Sequence, residues 1–111
     1  MTVNVIALVT INEENPVALA KYLEATTPLL AEAKAKIVNR FQVSEAVVGK
    51  RPAQTMIVVE YPDRHAVDMV FESDVYKAIR PVRDIAFLDY QVSIVVNDPL
   101  EQQPEGQTAV D

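Results

Sequence analysis

The sequence predicts one α+β domain with the element order β-α-β-β-α-β, and three observations predict it. Four segments are dense in β-branched and apolar residues and short enough to be strands. The segments between the first and second and between the third and fourth begin with helix-starting chemistry. Alternate residues of the first strand are apolar on both faces, so each face needs a cover.

Residues 3–11 read VNVIALVTI, the composition of a strand buried on both faces. Asn15 followed by Pro16 is an N-cap with proline at the first helical position, which predicts a helix from Pro16 to about Glu32. Leu19, Leu23 and Leu30 supply its expected apolar stripe, with Ala20 and Tyr22 alongside. Pro28 inside it predicts a kink or a split near Thr26.

Residues 36–43, KIVNRFQV, form the second strand, with residues 44–49 as a candidate short extension. Gly49-Lys50-Arg51-Pro52 is a turn. Residues 54–61, QTMIVVEY, form the third strand, ended by Pro62 and Asp63, which offers a cap. A helix over residues 64–72 should turn Ala66, Val67, Val70 and Phe71 inward. Ser73 caps a following helix from Asp74, with Val75, Ile79 and Val82 as its buried face and Pro81 expected to end it early. Residues 87–96, FLDYQVSIVV, form the last strand.

This is the ferredoxin-like arrangement, with four antiparallel strands and helices on one face. The other face carries Ile6 and Leu8 and is too apolar to stay wet. Sheet-on-sheet packing with a second copy covers it, so a homodimer is expected. The expected domain is 1–97. Residues 98–111 read as an acidic tail, disordered or lying on a partner.

Composition narrows the function classes. The net charge is −6, and the tail holds Asp98, Glu101, Glu105 and Asp111 without a base. Four of the 16 acids and none of the 10 bases lie in it, which leaves residues 1–97 at −2. Neither part offers the basic face that nucleic acid needs, and an acidic surface disfavours anionic membranes. No apolar run reaches the roughly 20 residues of a membrane span, and no basic region precedes the first apolar run, so a cytoplasmic protein is expected. Zero cysteines exclude thiolate metal sites and thiol nucleophiles, and one histidine excludes a multi-histidine site within one chain. With only Gly49 and Gly106, there is no glycine-rich phosphate loop. No metal and no cofactor is expected.

Glu60-Tyr61-Pro62-Asp63, followed by Phe71-Glu72-Ser73-Asp74-Val75-Tyr76 and by a helix carrying Arg80 and Arg83, resembles a bacterial family of unknown function, number thirteen-thirty. Tyr22, Pro28 and Arg40 also sit where that family tends to place those residue types. The resemblance spans about residues 3–96. The family usually has glycine between the first helix and second strand, where this chain reads Glu32-Ala33-Lys34-Ala35. The resemblance implies a homodimer of the dimeric α/β-barrel superfamily and no established activity. Superfamily relatives include antibiotic-biosynthesis monooxygenases, haem-degrading enzymes, muconolactone isomerases and stress-responsive proteins.

The candidate chemistry is sparse. Arg40 and Glu60 lie on neighbouring strands and could pair if they share a face, either lining a cleft or as a structural ion pair. Asp89 is a further participant on the last strand. His65 opens a helix, either as a general base or haem ligand or as an exposed first-turn residue. Tyr22, Tyr76 and Phe71 could line an aromatic pocket or simply fill the core. Arg80 and Arg83 could guard an anion entrance or stand on a solvated face. The leading expectation is a homodimer that binds a small organic molecule, with the option of cofactor-free chemistry on a carbonyl, phenolic or carboxylate compound. Arg40 and Arg83 would then meet an anion, Tyr22 or Tyr76 would orient the ligand, and Glu60 or His65 would move a proton. The alternatives are a non-catalytic stress-related or interaction module, and a haem-binding monooxygenase relative using His65.

Overall fold

The computed structural model describes residues 2–96, so the expected tail at 98–111 lies outside the described residues. Seven elements follow in chain order: β1 (Val3–Ile11), α1 (Pro16–Glu32), β2 (Lys36–Gln42), β3 (Thr55–Tyr61), α2 (Arg64–Phe71), α3 (Asp74–Ala86) and β4 (Phe87–Val95). The strands form one antiparallel sheet in the order β2-β3-β1-β4, so the ferredoxin-like architecture is as expected. Residues 44–49 add no strand.

Local chemistry sets each helix start. Asn15 Oδ1 accepts from the Ala18 amide at 3.2 Å, Asp63 Oδ1 from Ala66 at 2.8 Å, and Ser73 Oγ from Tyr76 at 3.0 Å. Gly49 has φ of 79°, which a turn demands and glycine supplies without strain.

Pro28 does not split its helix and Pro81 does not end its helix early. α1 runs unbroken through Pro28, and α3 runs through Pro81 to Ala86. Each proline deletes one helical hydrogen bond, and each orphaned carbonyl, on Glu24 and Lys77, belongs to an exposed residue that water can serve. Beside Pro28, the Thr26 and Thr27 hydroxyls donate to the carbonyls of Tyr22 and Leu23 at 2.9 and 2.7 Å.

α1 ends in a Schellman turn. Lys34 N–H bonds Ala31 O at 3.1 Å and Ala35 N–H bonds Leu30 O at 3.0 Å. Lys34 takes the left-handed position at φ of 60°, where glycine is customary, at a strain of about 1 kcal/mol. The turn survives the departure from the family's glycine.

The helix faces differ in part from the expected ones. α1 buries Ala18, Tyr22 and Thr26, while Leu23 is half exposed and Ala20 faces out. The i, i+4, i+8 row of small and aromatic residues packs inward, and Leu19, Leu23 and Leu30 overhang the sheet beside it. On α3 the buried residues are Tyr76 and Ala86, and Val75 points outward. α2 turns Ala66, Val67 and Val70 inward as expected.

Period two sorts the sheet into two faces. Val5 pairs with Val59 and Ile94, and Val9 with Thr55 and Tyr90, all on the helix side. Ile6 and Leu8 pair with Val58 and Met56, and with Ser93 and Gln91, on the opposite side. Phe41 of β2 joins that second face opposite Met56. Among the described residues no helix covers it.

α3 passes into β4 with no linker, Ala86 being fully buried and Phe87 already extended. Asn12 clamps this junction. Its amide bonds Ala86 O at 2.9 Å, and its side chain donates to Ile85 O at 3.0 Å. Those carbonyls belong to the orphaned last turn of α3.

Candidate functional site

A cleft of about 260 Å³ lies between the helices and the sheet. Its floor is the helix-side row of β1 and β3, including Ala7, Ile57 and Val59. Leu19, Leu23 and Leu30 of α1 form one wall. α1 packs chiefly on α3 and stands away from β2, so the cleft opens along the β2 edge past the exposed Ile37.

All four tyrosines of the chain line this cleft. Tyr22 from α1, Tyr76 from α3 and Tyr90 from β4 bring their hydroxyls into one triangle, at 3.0, 2.6 and 3.2 Å. Their rings meet edge to face, with Phe87 and Phe71 extending the aromatic cluster. Arg83 closes the triangle from outside. Its Nη1 donates to the Tyr76 hydroxyl at 3.4 Å, and its guanidinium carbon lies 5.2 Å from the Tyr90 ring centre and 5.8 Å from that of Tyr76. Arg83 also pairs with the exposed Asp84 at 3.2 Å.

Burial holds the phenols of Tyr22, Tyr61 and Tyr90 neutral. Burial, then the neighbouring Tyr90 and Tyr76 hydroxyls, drives Tyr22 far above its ordinary pKa. Burial and Tyr76 also raise Tyr90, with Arg83 pulling weakly the other way. Burial, helped by Tyr76, pushes Tyr61 up to about 12. Burial works to lower the Arg83 pKa, but Tyr76 and Asp84 outweigh it and the guanidinium stays charged. The protonated hydroxyls of Tyr22 and Tyr90 can orient a polar group; they cannot act as bases near neutral pH.

Two further hydroxyls face the same space. Thr55 and Tyr61 are 3% and 2% exposed, and neither hydroxyl makes a hydrogen bond among the described residues. No fully enclosed side-chain oxygen or nitrogen there lacks a partner. Both residues line the cleft, so these hydroxyls open onto it.

The residues expected from the sequence divide between locations. Tyr22, Tyr76, Phe71 and Arg40 line the cleft, and Arg83 braces it. Arg40 lies opposite Ile57 on the helix side, whereas Glu60 lies opposite Asn4 and Lys36 on the other face. The expected Arg40–Glu60 pair therefore does not form: the three-residue offset from Ile57 to Glu60 reverses the side-chain direction. Asp89, opposite Thr10, shares Glu60's face. His65 is exposed on the first turn of α2 and does not line the cleft, and Arg80 is exposed on α3. Neither Glu60 nor His65 is placed to move a proton in the cleft.

Tyr90, Tyr61 and Thr55 are the cleft residues that the sequence did not single out. The one available signal was period two, since Tyr90 alternates with Val92 and Ile94 and so shares the face of buried Val9. Among the described residues there is no cluster of three metal-ligating side chains, and no helix is long and apolar enough to cross a membrane.

Solved structures with the same fold are numerous. A protein of unknown function from Rhodopseudomonas palustris is 18% identical, covers 85% of this chain and 80% of its own, and superposes with a TM-score of 0.70. A protein described as an antibiotic biosynthesis monooxygenase is 24% identical over 89% of this chain and 100% of its own, with a TM-score of 0.58. A dimeric ferredoxin-like protein of unknown function from Thermobifida fusca is 13% identical over 87% of this chain and 92% of its own, with a TM-score of 0.52. At these identities the likeness is one of fold. No curated protein matches the sequence. A family profile, by contrast, matches residues 2–98, which include every described residue, and by that match the protein belongs to the family described as Domain of unknown function (DUF1330).

Proposed function

We propose that the protein is a homodimeric binder of a small, largely apolar organic molecule, held in the cleft between α1, α3 and the sheet. The observation that carries this is the cleft itself, a space of about 260 Å³ walled by aliphatic side chains with tyrosine hydroxyls at its base. A few placed polar groups in an apolar concavity are the usual makeup of a small-molecule site, and this one is at the small end of the range. The lining residues include no carboxylate and no imidazole, which favours binding over proton transfer. His65 stands outside the cleft, so nothing in the geometry favours the haem reading.

Self-association is supported by the uncovered face of Ile6, Leu8, Met56 and Val58, rimmed by Glu60, Asp89 and Gln91. An apolar centre with a polar rim is interface anatomy, and a second copy of the same face is self-complementary. The Thermobifida fusca structure, described as dimeric, agrees with it.

The test is calorimetric titration with 1-octanol, a probe small and apolar enough for the cleft. One site per protomer is expected. The Ala7→Phe variant, which fills the floor, should abolish that site while keeping the wild-type melting temperature or raising it. Absence of binding to the wild-type protein, or unchanged binding to Ala7→Phe, would refute the cleft as the site.

A further inference from the structure

We infer that the ligand carries an anionic oxygen group, a carboxylate in the simplest case, seated between Arg40 and Thr55 at the β2–β3 edge of the cleft. The inference rests on the reading of the cleft as a ligand site and adds the chemical class of the ligand.

The register makes the seat. Arg40 lies opposite Ile57 and Gln42 lies opposite Thr55, so Arg40 and Thr55 are diagonal neighbours on one face. Diagonal positions on antiparallel strands are about 7–8 Å apart, well within reach of an arginine side chain. Both residues line the cleft.

Each has hydrogen-bonding capacity that no protein group takes up among the described residues. Arg40 has no carboxylate within ion-pair distance among the described residues, and its nearest expected partner, Glu60, is on the far face. Thr55 is 3% exposed, yet its hydroxyl has no protein partner among those residues. That hydroxyl opens onto the cleft, where it is free to pair with a ligand.

The other cation behaves differently. Arg83 is already committed to Tyr76 and Asp84, and its charge is stacked on two rings. The triangle of Tyr22, Tyr76 and Tyr90 is likewise satisfied internally. Tyr61, the second unpaired hydroxyl, is six residues from Thr55 on β3, about 20 Å along the strand, and belongs to the opposite end. The cationic and unpaired groups thus coincide at one place, the mouth beside β2. A carboxylate there accepts from both the guanidinium and the hydroxyl, while its hydrocarbon chain lies on Ile57 and under Leu23. The exposed mouth keeps the anion partly hydrated, so its desolvation is limited.

Three probes of equal chain length test this by calorimetry: octanoate, 1-octanol and octylammonium. Wild-type protein should bind octanoate about tenfold more tightly than 1-octanol, and octylammonium most weakly. Thr55→Val and Arg40→Gln should each erase most of the preference for octanoate over 1-octanol. A wild-type far-ultraviolet circular dichroism spectrum and a cooperative melt of each variant report an intact fold. Thr55→Val should keep the wild-type melting temperature of the unliganded protein, because the hydroxyl it removes opens onto the cleft. If 1-octanol binds and octanoate is not preferred, or if the preference survives both substitutions, the anion seat is refuted and the cleft reading stands. If no probe binds, the cleft reading itself fails and takes the seat with it.

Discussion

The two faces of the sheet are built from the same strands, yet they solve opposite problems. On the helix side, residues such as Val5, Val59 and Tyr90 meet a partial cover that leaves a cleft and gathers every tyrosine. On the other side, Ile6, Leu8, Met56 and Val58 form an apolar centre with no cover among the described residues, ringed by Glu60, Asp89 and Gln91. One face holds its polar groups deep and its apolar groups around them. The other holds its polar groups at the rim. A deep polar cluster suits a small ligand, and a polar rim suits a second protein surface.

The largest expected effect comes from putting a charge on the uncovered face. In a symmetric interface each substitution enters twice, so Ile6→Glu should weaken the proposed dimer by about 6 kcal/mol, from roughly 3 kcal/mol per buried unpaired charge. Sedimentation velocity at micromolar concentration should show a monomer. An unchanged dimer would remove this face as the interface.

On the cleft side, Tyr22→Ala takes away the residue that touches Tyr76, Phe87 and Tyr90 together. A loss of about 4 kcal/mol in urea unfolding is expected, in the range of buried aromatic truncations. A loss below about 1 kcal/mol would mean that the triangle is not a structural centre.

Alkaline pH should strike the cleft face first. Tyr22, Tyr61 and Tyr90 all have folded pKa values above the ordinary 10.0, with Tyr61 near 12. The folded state therefore keeps protons that the unfolded chain gives up. Stability is full below about pH 10 and falls as pH rises from there through the raised values. Melting temperature measured from pH 8 to pH 12 should fall beyond pH 10, and Tyr61→Phe should soften the fall.

The smallest effect is a coupling expected to be absent. Arg40 and Glu60 are on opposite faces, so a double-mutant cycle of Arg40→Ala and Glu60→Ala should give an interaction energy under about 0.5 kcal/mol. A clearly larger value would show that the faces communicate through the sheet.

This fold was legible because its signals are local. Asn15, Asp63 and Ser73 are caps that name their helices, and period two in β1 and β4 names the faces. The split expected at Pro28 and the early end expected at Pro81 did not occur, because a proline's damage depends on whether its orphaned carbonyl can reach water, which is a matter of exposure and not of sequence. The site was legible only in part. Tyr22, Tyr76, Arg40 and Arg83 stood out by type, but the triangle joins residues from α1, α3 and β4, and Tyr90 is 68 positions from Tyr22. No spacing rule spans that distance. Glu60 and Arg40 failed as a pair because register, including the irregularity between Ile37 and Asn39, decides which face each takes.

The absence of a linker between α3 and β4 determines how the cleft can breathe. With Ala86 fully buried and Asn12 holding the last carbonyls, α3 and β4 are one welded piece, and Tyr76, Arg83 and Tyr90 ride on it together. Widening the cleft beyond its open β2 edge therefore requires movement of the other wall, α1. α1 is tied to the sheet through two connections, one of them the Lys34 turn, and it carries two helix-interrupting features, Pro28 and the threonine hydroxyls bonded back to their own backbone. In such a movement α1 would be the mobile wall and α3 the fixed one, and the Tyr22 hydroxyl would part from Tyr76 and Tyr90. Hydrogen exchange should register the difference, with α1 amides exchanging faster than those of α3 in the free protein and slowing on 1-octanol binding. Equal protection of the two helices would mean that the cleft opens by some other movement.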